Sequence, residues 1–77
     1  MPVRKLDLHG VQHEEVEDLV HRFVNSHWAP NEELHIITGH SPKMKAIVLA
    51  ALRGYDLERL PHNPANPGYI RVATWQE

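Results

Sequence analysis

The chain has no cysteine, which excludes a disulfide frame and any thiolate metal site. It has no apolar run of the roughly 20 residues that a membrane helix needs. Its start shows no secretory leader pattern, so a cytoplasmic location is expected. It has no excess of positive charge: eight basic residues against ten acidic ones give a formal net charge of −2. That excludes a protein that coats nucleic acid by bulk attraction. No linker, low-complexity tract or domain-sized repeat divides the 77 residues, so residues 1–77 are read as one domain. A chain this short buries only roughly 60% of the surface that its unfolded form exposes.

What is present is unevenly placed. Residues 1–37 hold three basic and seven acidic side chains, a balance of −4, and residues 38–77 hold five basic and three acidic, a balance of +2. Four acids, Glu14, Glu15, Glu17 and Asp18, open a helical segment, where they suit the positive end of the helix dipole. Seven histidines are many for this length; protonating all of them would carry the charge from −2 to +5. Anion binding is therefore expected to strengthen as pH falls.

Two strand–glycine–helix units follow one another. Arg4 to His9 alternates, with Leu6 and Leu8 on one side and Asp7 and His9 on the other. Gly10 then permits a tight turn. A helix is expected from about Gln12 to His27, because Val16, Leu19, Val20, Phe23 and Val24 fall on one face. Ala29-Pro30-Asn31 makes a turn. Glu33 to Thr38 is an apolar strand, expected inside the sheet. Ser41-Pro42 is a helix start, serine at N-cap and proline at N1, and Met44, Ile47, Val48, Ala51 and Leu52 repeat the buried face. Gly54 is a candidate C-cap. Tyr55 to Leu60 is a short strand, 61–68 a proline-rich loop, and Tyr69 to Thr74 the last strand.

The order β-α-β-α-β-β defines an α/β two-layer sandwich. Right-handed crossovers place both helices on one face of a four-stranded mixed sheet and leave the other face open. Parallel first and second strands bring their carboxyl ends to one rim. That rim gathers His9, Gly10, Thr38, Gly39, His40, Ser41 and the starts of two helices, a setting suited to a phosphate. Lys43 and Lys45 lie in the first turn of the second helix, where cations disfavour the dipole and so point to a bound anion.

Leu6-Asp7-Leu8-His9-Gly10, a long amphipathic helix, an apolar strand ending in Thr38-Gly39 and a second helix together resemble the small MutS-related (Smr) domain over nearly the whole chain. The resemblance implies the fold of the C-terminal domain of translation initiation factor 3, with sheet order 1-2-4-3 and the last strand antiparallel. It implies endonuclease activity on DNA or RNA, or nucleic-acid binding without cleavage. The family's key positions correspond to Asp7, His9, Gly10, Thr38 and Gly39. The family's second motif usually reads Thr-Gly-x-Gly before a longer loop; here Ser41 replaces the final glycine and the helix begins at once. The chain looks like the compact, stand-alone variants of the family associated with phage and bacterial genomes.

Each candidate residue has a plainer reading beside the chemical one. His9 is either a general acid or base for phosphodiester cleavage or a strand-end histidine bonded to a turn. Asp7 either orients His9, holds a divalent cation such as magnesium, or pairs with Arg71 or Lys5. No cofactor is required by the pattern. His40 and Ser41 either contact phosphate or serve the helix start, where Ser41 is an N-cap. Tyr69, Arg71 and Trp75 alternate on one face and form a strip able to stack bases and contact phosphate, or they form an aromatic contact with the core or with a second copy. His13, His21 and His27 are expected to face solvent, and no His-x-x-His spacing supports zinc. The expected partner is nucleic acid, with no membrane; the rival reading is a protein interaction domain that pairs through the open sheet face or the edge at Arg4–His9.

Overall fold

The computed structural model describes residues 3–27, 29, 32–60 and 68–74. Six elements follow in the order β1 (Val3–Asp7), α1 (His13–Ser26), β2 (Glu33–Ile37), α2 (Pro42–Leu52), β3 (Glu58–Arg59) and β4 (Tyr69–Ala73). They form a small α/β fold with one four-stranded mixed sheet, ordered β1-β2-β4-β3. β1 and β2 are parallel, and β4 runs antiparallel to both β2 and β3.

The alternation of the strands decides which side meets the helices. Leu34, Ile36, Ile70 and Val72 are buried on the helix side, with Leu8 beyond the end of β1. α1 and α2 lie side by side. α1 buries Val16, Val20, Phe23 and Val24, and α2 buries Met44, Val48, Ala51 and Leu52. Each large apolar side chain taken out of water contributes about 1.5–3 kcal/mol. Leu19 and Ile47, expected in the same faces, are half-buried at the margin of that core. The apolar arc of each helix is wider than the strip the partner layer covers.

Three expectations shift. α1 starts at His13, one residue later than expected, and His27 is its C-cap. The third strand shrinks to Glu58–Arg59, because only β4 flanks it, although Leu60 N–H still donates to the Arg71 carbonyl at 2.9 Å. Gly54 lies just beyond the Arg53 C-cap without a positive φ, so no left-handed cap closes α2.

The sheet face away from the helices is less open than the topology suggests. Glu33 and His35 side chains are each only 16% exposed, and Ala73 is buried. The cause is a cross-strand cluster. His35 and Arg71 are direct neighbours on β2 and β4. Arg71 donates to Glu33 Oε1 from Nη2 at 2.7 Å and from Nε at 3.2 Å. His35 Nε2 lies 2.8 Å from the same oxygen. Tyr69 meets the His35 ring edge-on at a centroid distance of 6.0 Å. These contacts hold the Glu33 carboxyl below its ordinary range, the His35 hydrogen bond first and the Arg71 bonds second.

His21 and His27 take partners as well, although the His21 side chain stays 40% exposed. His21 Nδ1 is 2.7 Å from the Tyr55 hydroxyl, and His27 packs edge-on against Phe23 at 5.1 Å. Both lie on the margin of the apolar arc, where an imidazole covers ring carbon and keeps a polar atom for a partner.

Candidate functional site

The rim expected at the carboxyl ends of β1 and β2 exists. Asp7 is the register partner of Ile37, and Leu8 N–H donates to the Ile37 carbonyl at 2.9 Å. The turn at His9-Gly10 and the turn at Gly39-His40 are therefore neighbours. β4 begins opposite the same point, since Tyr69 pairs with Ile37, so Gly68 completes the rim. Residues 61–67 of the proline-rich loop lie outside the described residues, as does Trp75.

The first turn is closed by two hydrogen bonds. Val11 N–H reaches back to the Leu8 carbonyl at 3.0 Å. Gly10, third in that turn, has φ +79°, a value that glycine alone adopts without strain. The Asp7 carboxylate accepts the His9 backbone N–H at 2.9 Å. Asp7 thus sets the backbone that carries His9; its described partner is this amide and not the imidazole. The His9 side chain is exposed.

The second turn is tied from the other side. The Gly68 carbonyl accepts from Thr38 N–H at 2.7 Å and Gly39 N–H at 3.2 Å. The Thr38 hydroxyl lies 3.2 Å from the same carbonyl and 3.0 Å from that of Gly39. Thr38 is 4% exposed, so its amide and hydroxyl hold the turn together. Gly39 has φ +67°. A Cβ on Gly68 would sit 3.1 Å from the Gly39 Cα, so the two glycines let backbone pack on backbone.

Beyond the tie, the second turn opens toward solvent. His40 and Lys43 are exposed, Ser41 and Lys45 half-buried. Ser41 is the N-cap of α2, its Oγ accepting from Met44 N–H at 3.1 Å and its carbonyl from Lys45 N–H at 3.1 Å. Among the described residues, the amides of Gly10, His40 and Lys43 meet no acceptor. They and the two lysines lie at the same end of the sheet, where β1 and β2 end and α2 begins.

The two helix starts are not equivalent. α1 has no side-chain cap at Gln12 and carries Glu14 and Glu15 in its first turn; α2 is capped by Ser41 and carries no acid there. An anion at the rim meets attraction from α2 and repulsion from the carboxylates of α1. Of the expected phosphate contacts, Gly10, His40, Ser41, Lys43 and Lys45 line the rim. Thr38 and Gly39 serve it from below. Tyr69 borders it, and Arg71 lies two residues down β4, committed to Glu33. No three His, Asp or Glu side chains converge as a metal site among the described residues.

The Glu33–His35 pair is absent from the sequence reading. Its signal was available: Glu33 and His35 alternate on β2 opposite Leu34 and Ile36, and a 1-2-4-3 sheet sets them against Tyr69 and Arg71. The loop 61–68 is expected at this rim from the topology, and Gly68 lies there; its contact with Gly39 is marked by nothing in its neighbourhood of prolines.

Comparison of the chain with protein-family models, with curated proteins and with solved structures finds no match in any of the three.

Proposed function

We propose that the chain is a small MutS-related domain of the compact kind, acting on nucleic acid at the rim as an endonuclease. The carrying observation is the juxtaposition of an exposed histidine on a fixed turn with the open start of α2. His9 stands on a backbone held by Asp7 and Gly10. Across the parallel pair stand Ser41, Lys43 and Lys45, with amides at His40 and Lys43 that meet no acceptor among the described residues. A phosphodiester seated on those amides would present its scissile bond to an imidazole able to give or take a proton near neutral pH. Asp7 acts as a positioning residue through the turn, and the lysines offset the phosphate charge. A fold resembling the C-terminal domain of translation initiation factor 3 and a cytoplasmic location belong to the same reading.

A second reading is binding of DNA or RNA without cleavage. It is favoured by the Asp7 carboxylate, whose hydrogen bond among the described residues goes to the His9 amide and not to the imidazole. The deciding experiment incubates supercoiled plasmid and structured RNA with the protein and with His9→Ala, each with and without chelator. Cleavage by the parent that falls at least about 100-fold in the variant supports the endonuclease. Equal cleavage by both removes His9 from the mechanism. No cleavage, with binding that weakens steeply as salt rises, supports the binding module.

A further inference from the structure

The geometry points to a second copy of this chain as the partner of the β1 edge, joined antiparallel about Leu6 into one continuous eight-stranded sheet. β1 pairs with β2 on one side only and is an edge of the sheet. Its residues are exposed except Leu6, which is half-buried, and Val3 is the exposed large apolar side chain of the described residues. In the parallel pair, Leu8 N–H points at β2, so Arg4 and Leu6, in phase with it, also direct their backbone groups inward. Val3, Lys5 and Asp7 direct theirs outward, where they meet no partner among the described residues.

Symmetry limits the registers. Two copies that keep their helices on the same side must place residues of equal parity opposite each other. A pairing centred on Arg4 sets Arg4 against Arg4. One centred on Lys5 sets Lys5 against Lys5, and one centred on Asp7 sets Asp7 against Asp7. Like charges directly opposite one another are unfavourable. The pairing centred on Leu6 has none. It sets Lys5 against Asp7 twice, Leu6 against Leu6, and Arg4 against Leu8.

The backbone agrees with the charges. Lys5 and Asp7 are the residues whose amide and carbonyl point outward, so each Lys5–Asp7 pair exchanges two hydrogen bonds, the closely spaced pair of an antiparallel ladder. Asp7 uses Oδ1 on the His9 amide and keeps Oδ2 for the opposing ammonium. Leu6 meets its copy on the helix side, where it already packs against the core. Arg4, Lys5 and Asp7 each disfavour the register centred on themselves, and Lys5 with Asp7 supports the one centred on Leu6. The surface shares Asp7 with the proposed site, and its test reads association alone and needs no nucleic acid.

Sedimentation velocity over rising protein concentration reads the association, with the mass moving from 8.9 kDa toward twice that value. Lys5→Asp and Asp7→Lys each set like charges opposite and are expected to weaken the dimer at least about tenfold. The double variant Lys5→Asp/Asp7→Lys restores both pairs and is expected to recover the dimer. Lys5→Pro, which removes an outward N–H and leaves the β2 ladder intact, is expected to be monomeric with an unchanged circular dichroism spectrum. A parent that stays monomeric to about 1 mM overturns the proposal. So do single variants that dimerise as the parent does, or a folded double variant that fails to recover.

Discussion

The two strand-to-helix turns share a design and differ in how they are held. The first, Leu8 to Val11, is closed from within its own segment, by Asp7 on the His9 amide and by Leu8 on the Val11 amide. The second, Thr38 to Ser41, is held from the far side of the chain, by Gly68 on two amides and a hydroxyl. The first leads to an uncapped helix with acids at its start; the second leads to a capped helix with lysines there. A local closure leaves a side chain free to meet a ligand. A closure between distant segments makes a rigid seat. On the proposed reading, the first turn carries the proton transfer and the second holds the anion.

The sharpest way to break that division is His9→Ala. It is expected to lower cleavage at least about 100-fold, or about 2.7 kcal/mol of transition-state stabilisation. Stability should change by less than about 0.5 kcal/mol, because the side chain is exposed. Urea unfolding measured beside the cleavage assay separates the two. A loss of stability that matches the loss of rate would make His9 a structural residue of its turn.

Gly68→Ala attacks the other turn. The added Cβ meets backbone at 3.1 Å, and backbone can yield only by moving β4 or the turn. The expected cost is about 1–3 kcal/mol. Amide NMR shifts should concentrate at Thr38 to Ser41 and leave His9 and Gly10 in place. Shifts spread equally over both turns would show that the rim responds as one body.

The caps give a smaller and reciprocal test. Ser41→Ala removes the bond to Met44 and is expected to cost about 1 kcal/mol. Gln12→Asp adds an acceptor where α1 has none and is expected to gain about 0.5–1 kcal/mol, less whatever Glu14 and Glu15 take back by repulsion. Thermal or urea unfolding reads both. The same pair should move anion affinity in opposite senses to stability at α1, since a new carboxylate at residue 12 repels a phosphate at the rim.

Much of this division was legible in the residues, because it depends on local chemistry. Ser41-Pro42 announces a capped helix, and glycines at 10 and 39 announce turns needing positive φ. Alternation at Leu6 to His9 placed the leucines inward and His9 outward. What was not legible depends on which segments meet. Nothing local says that the Gly68 carbonyl consumes the Thr38 and Gly39 amides, so residues expected to touch phosphate turn out to hold the seat. The same holds for Arg71, expected to be available on an open face. Its guanidinium is set against Glu33 by the β2–β4 register, a pairing that no spacing along the chain reveals. His21 and Tyr55 meet for the same reason, 34 residues apart in sequence.

The smallest expected effect lies in the strand between the two turns and serves as their control. Glu33 is held ionised by His35 and then by Arg71, and its carboxyl titrates below its ordinary 4.5. A carboxyl with a lowered folded-state value binds fewer protons folded than unfolded. Its contribution is therefore complete above the ordinary value and is lost as pH falls through the lowered one. Glu33→Gln removes that contribution, so the difference in unfolding free energy between parent and variant should be constant near neutral pH and shrink below about pH 4.5. Urea unfolding at a series of pH values reads this directly. Cleavage and anion binding at neutral pH should stay within about twofold of the parent, because among the described residues no group of either turn donates to the Glu33 carboxylate. A stability difference that grows on acidification would reverse the sign of the Glu33 interaction. A large loss of anion binding would extend the site from the rim down the sheet to Arg71, and so erase the distinction between the turn that holds the anion and the strands beneath it.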